Sequence, residues 1–145
     1  MRSFSIAVMA VISISSLTAQ SGIKSLDAAL EKKLQLKEYQ TTIGSLQLYQ
    51  EFEIEYDKEL NSAYLKLMKE LKGETKIAFQ RAQKSWMVFR DMQFKAFEAI
   101  SDRREFGSGQ GPIIAMNRMK MVRQRAVQLV GYTNGLWGPE GTNVE

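Results

Sequence analysis

The chain has 145 residues, which is enough for one domain built around one hydrophobic core. It contains no cysteine and no histidine, which excludes disulfides, zinc–thiolate sites, Cys–His dyads and Ser–His–Asp triads. The net charge of +4 is modest, and without the clustered basic face that nucleic-acid binders carry we expect no nucleic-acid partner.

The N-terminal segment, residues 1–19, has the pattern of a signal peptide. Arg2 precedes an apolar stretch that is too short to span a bilayer comfortably, and polar sequence follows. Cleavage after Ala19 would leave a product in the periplasm or outside the cell. A site a few residues away is the alternative, because Leu17 is large for the position it would occupy. No stable membrane anchor is expected after cleavage. The alternative is a buried N-terminal helix.

The remaining chain has one proline before its tail and few β-branched runs, which favours helices. Residues 20–44 are predicted to form an N-terminal helical segment, with a helix over residues 25–39 capped by Ser25 and a break or bend at residues 41–44. The stretch EFEIEYDKE alternates like a strand, but its flanks have helical spacing, so a helix is predicted as far as Gly73.

A third helix is predicted from residue 74 to about residue 102. The face expected to pack inward repeats at gaps of three and four and comprises Phe79, Ala82, Trp86, Phe89, Gln93, Ala96 and Ile100. A glycine-rich loop follows, and Pro112 fits the first turn of a fourth helix that runs to about Val130. Residues 131–145 are predicted to be a flexible tail. The fold class is therefore all-α, a small antiparallel bundle of three to four helices.

Polar residues on the inner faces indicate how the helices pair. In an antiparallel hairpin turning at residues 73–74, facing positions have numbers that add to about 147. The predicted facing pairs are Tyr64 with Gln83, Asn61 with Trp86, and Asp57 with Arg90. Trp86 and Phe89 are interpreted as core anchors and Arg90 as a tie between helices, whereas Asp91 is expected to point elsewhere.

The fourth helix places Arg123 in the middle of an apolar face, where a charge needs a partner. Asp57 and Asp91 are the candidate partners. Together the polar residues are predicted to form a structural layer that fixes helix register, rather than a ligand or catalytic site.

The stretch AQKSWMVFRD, residues 82–91, resembles the AQ-x-x-W-x-x-(F/Y)-RD core of the lysozyme inhibitor LprI-like N-terminal domain family. Upstream, residues 56–71 resemble the family's AD-x-x-LN-x-x-Y-x-x-L segment through Asp57, Leu60, Asn61, Tyr64 and Leu67. Downstream, residues 107–109 resemble its Gly-Gly-Ser loop, and residues 115–123 its C-L-x-x-L-T-x-x-R helix. The resemblance covers residues 45–130. Relatives commonly carry cysteines, and here Phe94 and Ala115 occupy two of those positions.

The resemblance implies a helical, exported protein of the cell envelope whose partner is a protein, with a lysozyme-type muramidase as the suggested target. Inhibition would occlude the substrate cleft, and the long loop over residues 103–111 is the candidate contact, with a plain connector as its alternative. The candidate loop residues are Arg103, Arg104, Glu105, Phe106, Gly107, Ser108 and Gly109.

Charge bears on this function, because removal of residues 1–19 leaves 19 basic and 16 acidic residues, a net charge of +3. A positive chain is not steered toward the strongly basic animal lysozymes, although the acids at positions 51–59 offer a local acidic surface.

Other functions remain open. The chain could be a structural or interaction module of the envelope without inhibitory activity, or a binder of anionic glycans or lipid headgroups. An enzyme would need a polar cleft lined by Asp57, Arg90, Asp91 and Arg123, and without histidine, cysteine or a paired-carboxylate motif we expect none. No cofactor, metal or catalytic residue is predicted, and the oligomeric state is left open.

Overall fold

The computed structural model describes residues 9–101 and 109–135, with side chains from residues 22–100 and 109–135. Four long helices, α1 (Met9–Leu34), α2 (Thr42–Glu70), α3 (Gly73–Ser101) and α4 (Gln110–Thr133), account for most of this part, and a 3₁₀ turn, Lys37–Gln40, lies between α1 and α2. These residues contain no strand, so the predicted all-α bundle is confirmed. The acidic–apolar alternation of EFEIEYDKE falls in the middle of α2.

The core lies between α2 and α4. Apolar residues recur at gaps of three and four along each helix, so one stripe of each faces the other. The buried stripe of α2 comprises Leu48, Phe52, Tyr56, Leu60, Ala63 and Leu67. The buried stripe of α4 comprises Ala115, Met119, Val122, Ala126, Leu129 and Val130. Ile23 of α1 closes one side of this core.

Contacts between side chains give the helix directions. Leu46 lies beside Gly111, and Glu53 pairs with Arg118, so α2 and α4 run parallel. Gln83 of α3 meets Arg125 of α4 while Phe94 meets Arg118, so α3 is antiparallel to α4. Consecutive helices therefore alternate in direction, as predicted for a bundle with short connections.

The break before α2 is built from Thr41 and Gly44. The Thr41 hydroxyl accepts a hydrogen bond from the Gly44 amide at 3.0 Å and caps α2. Gly44 is buried, and an added Cβ there would overlap the backbone carbonyl oxygen of Glu38. The prediction of a helix over residues 25–39 capped by Ser25 is wrong at both ends. The helix α1 begins at Met9, so Ser25 lies inside it, and it ends at Leu34, with Leu36 extended before the 3₁₀ turn.

The turn between α2 and α3 depends on Gly73. Its φ of +54° lies in the left-handed region, which glycine enters without the steric cost of a Cβ. The predicted end of the second helix at this glycine is confirmed within a few residues. At the other end, α4 continues past Val130 to Thr133, and Trp137 lies outside the described residues.

No helix within the described ranges combines the length and the apolar content needed to cross a bilayer.

Gly44→Ala is expected to lower the free energy of unfolding by about 1–3 kcal/mol, because the new methyl group displaces the backbone at Glu38. Gly111→Ala is the matched control, since its added Cβ meets only the end of the Leu46 side chain at 3.9 Å. We expect that control to be neutral or slightly stabilising, because alanine favours helix. Urea denaturation of both variants measures the difference, and equal stability of the two would contradict the close approach seen at Gly44.

Candidate functional site

The helix that carries the family-like stretch, α3, has a single buried side chain among its described residues, and that side chain is polar. Gln83 is 6% exposed, whereas Phe89, one of the two predicted core anchors, is 54% exposed. Trp86, the other anchor, packs against the core and is only partly buried. The inward face of α3 is therefore shifted from the prediction and includes Phe79, Gln83, Trp86, Arg90 and Phe94.

The shift follows from what α4 presents to α3. The Arg118 guanidinium lies over the ring of Phe94, with 4.1 Å from its carbon to the ring centroid, and also binds Glu98 at 3.3 Å. Arg125 lies 5.6 Å from the centroid of Trp86. Hydrogen-bond acceptors and aromatic ring faces stabilise a guanidinium. The face of α3 that lies against Arg118 and Arg125 is therefore the one with polar and aromatic side chains.

Gln83 is held by Arg125 and not by Tyr64. The Gln83 side-chain oxygen accepts two hydrogen bonds from Arg125, from Nε at 3.0 Å and from Nη2 at 2.9 Å. The predicted Tyr64–Gln83 pair is therefore wrong, and Tyr64 instead packs against the core. Arg125 also donates to the Gln128 side chain, and burial lowers the pKa of its guanidinium. Within the described residues, no carboxylate pairs with Arg125.

Arg90 contacts the expected partner and one unexpected partner. Its Nη1 lies 3.8 Å from an Asp57 oxygen, as the hairpin register predicted. Its Nε and Nη2 donate to Asp91 at 2.9 and 2.8 Å, while the Asp91 side chain stays 58% exposed, in keeping with the expectation that it does not share the direction of Arg90. The long arginine stem folds back along α3, which brings the guanidinium to the neighbouring carboxylate.

Asn61 supports this cluster from α2. Its amide nitrogen donates to the backbone carbonyl and to a carboxylate oxygen of Asp57, each at 2.8 Å. Asn61 therefore holds the Asp57 side chain one helical turn away. The pair predicted between Asn61 and Trp86 is not what orients the asparagine.

Arg123 is paired with Asp27 of α1, and neither predicted partner, Asp57 or Asp91, binds it. Arg123 makes a two-bond fork to the Asp27 carboxylate, with distances of 2.7 and 2.5 Å. The Tyr56 hydroxyl donates to the same carboxylate at 2.6 Å. The Arg123 bond lowers the pKa of Asp27, and burial together with Asp27 raises the pKa of Tyr56.

A sequence signal for Asp27 existed. It lies four residues after Ile23 and three before Leu30, so it falls on the apolar stripe that packs α1 against the bundle. A carboxylate on such a stripe requires a cation on the facing helix.

The acidic run of α2 is largely neutralised. Glu51 pairs with Lys33 at 2.6 Å, Glu53 with Arg118 at 3.2 Å, and Glu55 with Lys58 at 2.7 Å. Asp57 belongs to the Arg90 cluster. The run therefore offers less free negative charge than its sequence suggests.

The four polar residues considered for a catalytic cleft lie in two groups. Arg123 is held on the α1 side by Asp27, whereas Arg90 is held by Asp57 and Asp91. Among the residues with described side chains, no group of three or more acidic residues is placed to hold a metal ion. The loop residues at positions 103–108 lie outside the described ranges, and Gly109 is exposed at the start of α4.

The outward face of α3 is unusually apolar. Half of the exposed large hydrophobic side chains in the described residues lie on this helix. Val88, Phe89 and Met92 form a ridge within one helical turn, with exposed fractions of 55, 54 and 66%. We call these three residues the α3 ridge. Exposed apolar side chains grouped on one helix face are a candidate contact surface for another macromolecule.

Fold and site together define an all-α bundle whose charged groups tie helices together and whose third helix presents an apolar surface. The family model described as Lysozyme inhibitor LprI matches residues 34–129, about two thirds of the chain, so the chain belongs to this family. The match covers α2, α3 and α4 as far as Leu129 but leaves out Asp27. No curated protein and no solved structure matches the chain.

Asp27→Asn is expected to lower the free energy of unfolding at neutral pH by about 1–2 kcal/mol, because an amide replaces the carboxylate that accepts both Arg123 bonds. The folded-state pKa of Asp27 is below its ordinary value of 3.8. The stabilisation is therefore fully present above that value and is lost as pH falls through the lower folded-state pKa.

Urea denaturation from neutral pH down to about pH 2 measures this loss. The wild type should lose stability more steeply than Asp27→Asn in the acid range. Asp91→Asn is the control, because its carboxylate is exposed and the change should be within about 0.5 kcal/mol. If the free energy of unfolding fell equally steeply with decreasing pH in the wild type and in Asp27→Asn, the role given to the Asp27–Arg123 pair would be refuted.

Proposed function

We propose that this chain is an exported, non-enzymatic binding protein of the cell envelope that inhibits a lysozyme-type muramidase by covering its substrate cleft. Membership of the family supports the target. The observation that carries a binding role is the α3 ridge, which leaves Val88, Phe89 and Met92 exposed on the helix that bears the family-like stretch. An apolar surface that the fold does not need is available for a partner.

Export is consistent with the way α1 is held. Ile23 is buried against the core and Asp27 binds Arg123, and both residues follow the predicted cleavage site after Ala19. A chain that starts at Gln20 retains these contacts. Signal removal therefore leaves the attachment of α1 to the bundle in place.

Steric occlusion explains how a bundle without catalytic groups can inhibit. A muramidase needs its two carboxylates to reach the glycosidic bond, and a protein seated across the cleft prevents substrate entry. The α3 ridge would supply the apolar centre of the contact, and the charged loop at positions 103–109, which follows α3, would supply its rim. A mature chain with a net charge of +3 gains no long-range attraction to a basic muramidase, so the apolar centre would have to provide most of the affinity.

Met92→Glu is expected to weaken inhibition at least ~10-fold, because a buried contact would then have to desolvate a carboxylate. Leu65→Glu is the matched control: Leu65 is 61% exposed on α2, close to the 66% of Met92, and lies outside the ridge. The measurement is cell-wall hydrolysis by muramidases of several classes with increasing amounts of the mature chain, at two salt concentrations. Thermal unfolding of both variants confirms that each is folded.

The same assay tests the loop and the alternative function. Replacement of Arg103 and Arg104 by alanine should weaken inhibition if the loop forms the rim, and should leave it unchanged if the loop is only a connector. Absence of inhibition and of binding for every muramidase class would reject the proposal and favour an envelope interaction module with another partner.

A further inference from the structure

A groove of about 690 Å³ opens between α3 and α4, beside the α3 ridge. Its apolar wall is formed by Trp86, Phe89 and Phe97 of α3, with Met121 and Val127 of α4 opposite. This volume falls within the range of clefts that hold ligands, and half of the ten lining residues are apolar while the other half are polar or charged. Methionine adds a flexible surface that adapts to the shape of an occupant.

The charged side chains that line the groove are all positive. Lys120 and Arg125 line it, and none of its lining residues is a carboxylate. The other polar groups are the neutral amides of Asn117, Gln124 and Gln128. The groove is therefore complementary to an anion that carries an apolar group.

Arg125 differs from the other arginines that tie the helices together. Arg90, Arg118 and Arg123 each pair with at least one carboxylate. Arg125 is half-buried beside the Trp86 ring, and in the described part of the chain its hydrogen bonds go only to the side-chain oxygens of Gln83 and Gln128. Burial disfavours its charged form, as the lowered pKa indicates. A carboxylate placed in the groove would supply the missing counter-charge.

We infer that the α3–α4 groove binds an acidic, apolar segment of a protein partner, with a carboxylate between Arg125 and Lys120 and an apolar side chain against Trp86 and Phe97. The inference rests on the proposed function only in taking the occupant to be a protein. It adds the chemistry that the partner must present. In the complex the carboxylate would form a charge-assisted pair with the Arg125 guanidinium, whose position is already fixed by its two hydrogen bonds to Gln83.

The apolar half of the lining favours an apolar peptide side chain over a sugar, whereas the amides of Asn117, Gln124 and Gln128 can hydrogen-bond to either. Phe89, Phe97, Met121 and Val127 offer no hydrogen bonds. The hydroxyl groups of a sugar placed against them would lose water without gaining partners, which costs free energy. A leucine or phenylalanine side chain loses nothing there and gains by leaving water.

The probe is the acetylated and amidated tetrapeptide Glu-Phe-Leu-Glu, titrated into the isotopically labelled mature chain without any muramidase. The readout is the indole N–H resonance of Trp86, assigned with a Trp137→Phe variant. We expect a saturable shift of this resonance. The control peptide, Gln-Phe-Leu-Gln, should bind at least ~10-fold more weakly, because it keeps the apolar groups and lacks the charges.

Lys120→Glu should weaken binding of the acidic peptide at least ~10-fold, since it places a like charge in the groove. Lys84→Glu is the matched control: it changes the net charge equally on an exposed position of α3 outside the lining, and it should alter affinity less than ~3-fold. Arg125 is left intact because it holds Gln83. Unchanged melting temperatures would show that both variants are folded.

Equal binding of the acidic and neutral peptides would overturn the inference, because the groove would then be only an apolar contact. Equal weakening by the two lysine variants would overturn it as well. A shift produced by N-acetylmuramic acid but not by the acidic peptide would assign the groove to anionic sugars instead. Because no muramidase is present, failure of the inhibition assay leaves this result intact, and the reverse also holds.

Discussion

The parallel packing of α2 on α4 is the contact on which the rest of the structure depends. Its buried stripes meet through residues such as Leu48, Leu60 and Leu129, which are almost fully removed from water. Burial of apolar surface is the main favourable term in folding, and without disulfides this chain has no covalent substitute for it. The other two long helices, α1 and α3, are attached to this pair.

The helix α1 is attached by its apolar stripe and by polar contacts, whereas α3 is attached mainly through arginines of α4. Arg123 reaches α1, whereas Arg118 and Arg125 reach α3. A helix held by guanidinium groups over aromatic rings and by amide oxygens needs few buried apolar residues of its own. That is why α3 can expose Val88 and Met92 and still lie against the bundle. The functional proposals follow from this division, because the surface that the fold leaves free is the surface that a partner can use.

Local patterns in the sequence account for the helices and their order. Gly73 marks the turn correctly because a glycine acts on its own backbone. The break predicted at residues 41–44 is where Thr41 caps α2, whereas Ser25, the predicted cap, lies inside α1. The hairpin register brought Asp57 near Arg90 because a short turn fixes which positions face each other. The pattern within α3 did not identify its buried face, because the position of Phe89 fits a buried stripe as well as the position of Gln83 does. Only the position of α4 distinguishes the two residues.

The sequence by itself determined an all-α chain of antiparallel consecutive helices and a resemblance to the lysozyme inhibitor family, because these depend on residue spacing and local motifs. Only the tertiary structure decided that Asp27 neutralises Arg123, that Arg125 donates to neutral side-chain oxygens among the described residues, and that a cationic groove separates α3 from α4. These features join residues far apart in the chain. Their partners depend on how the helices pack against one another. Periodicity within a single helix indicates its apolar face but not which residue of a neighbouring helix that face meets.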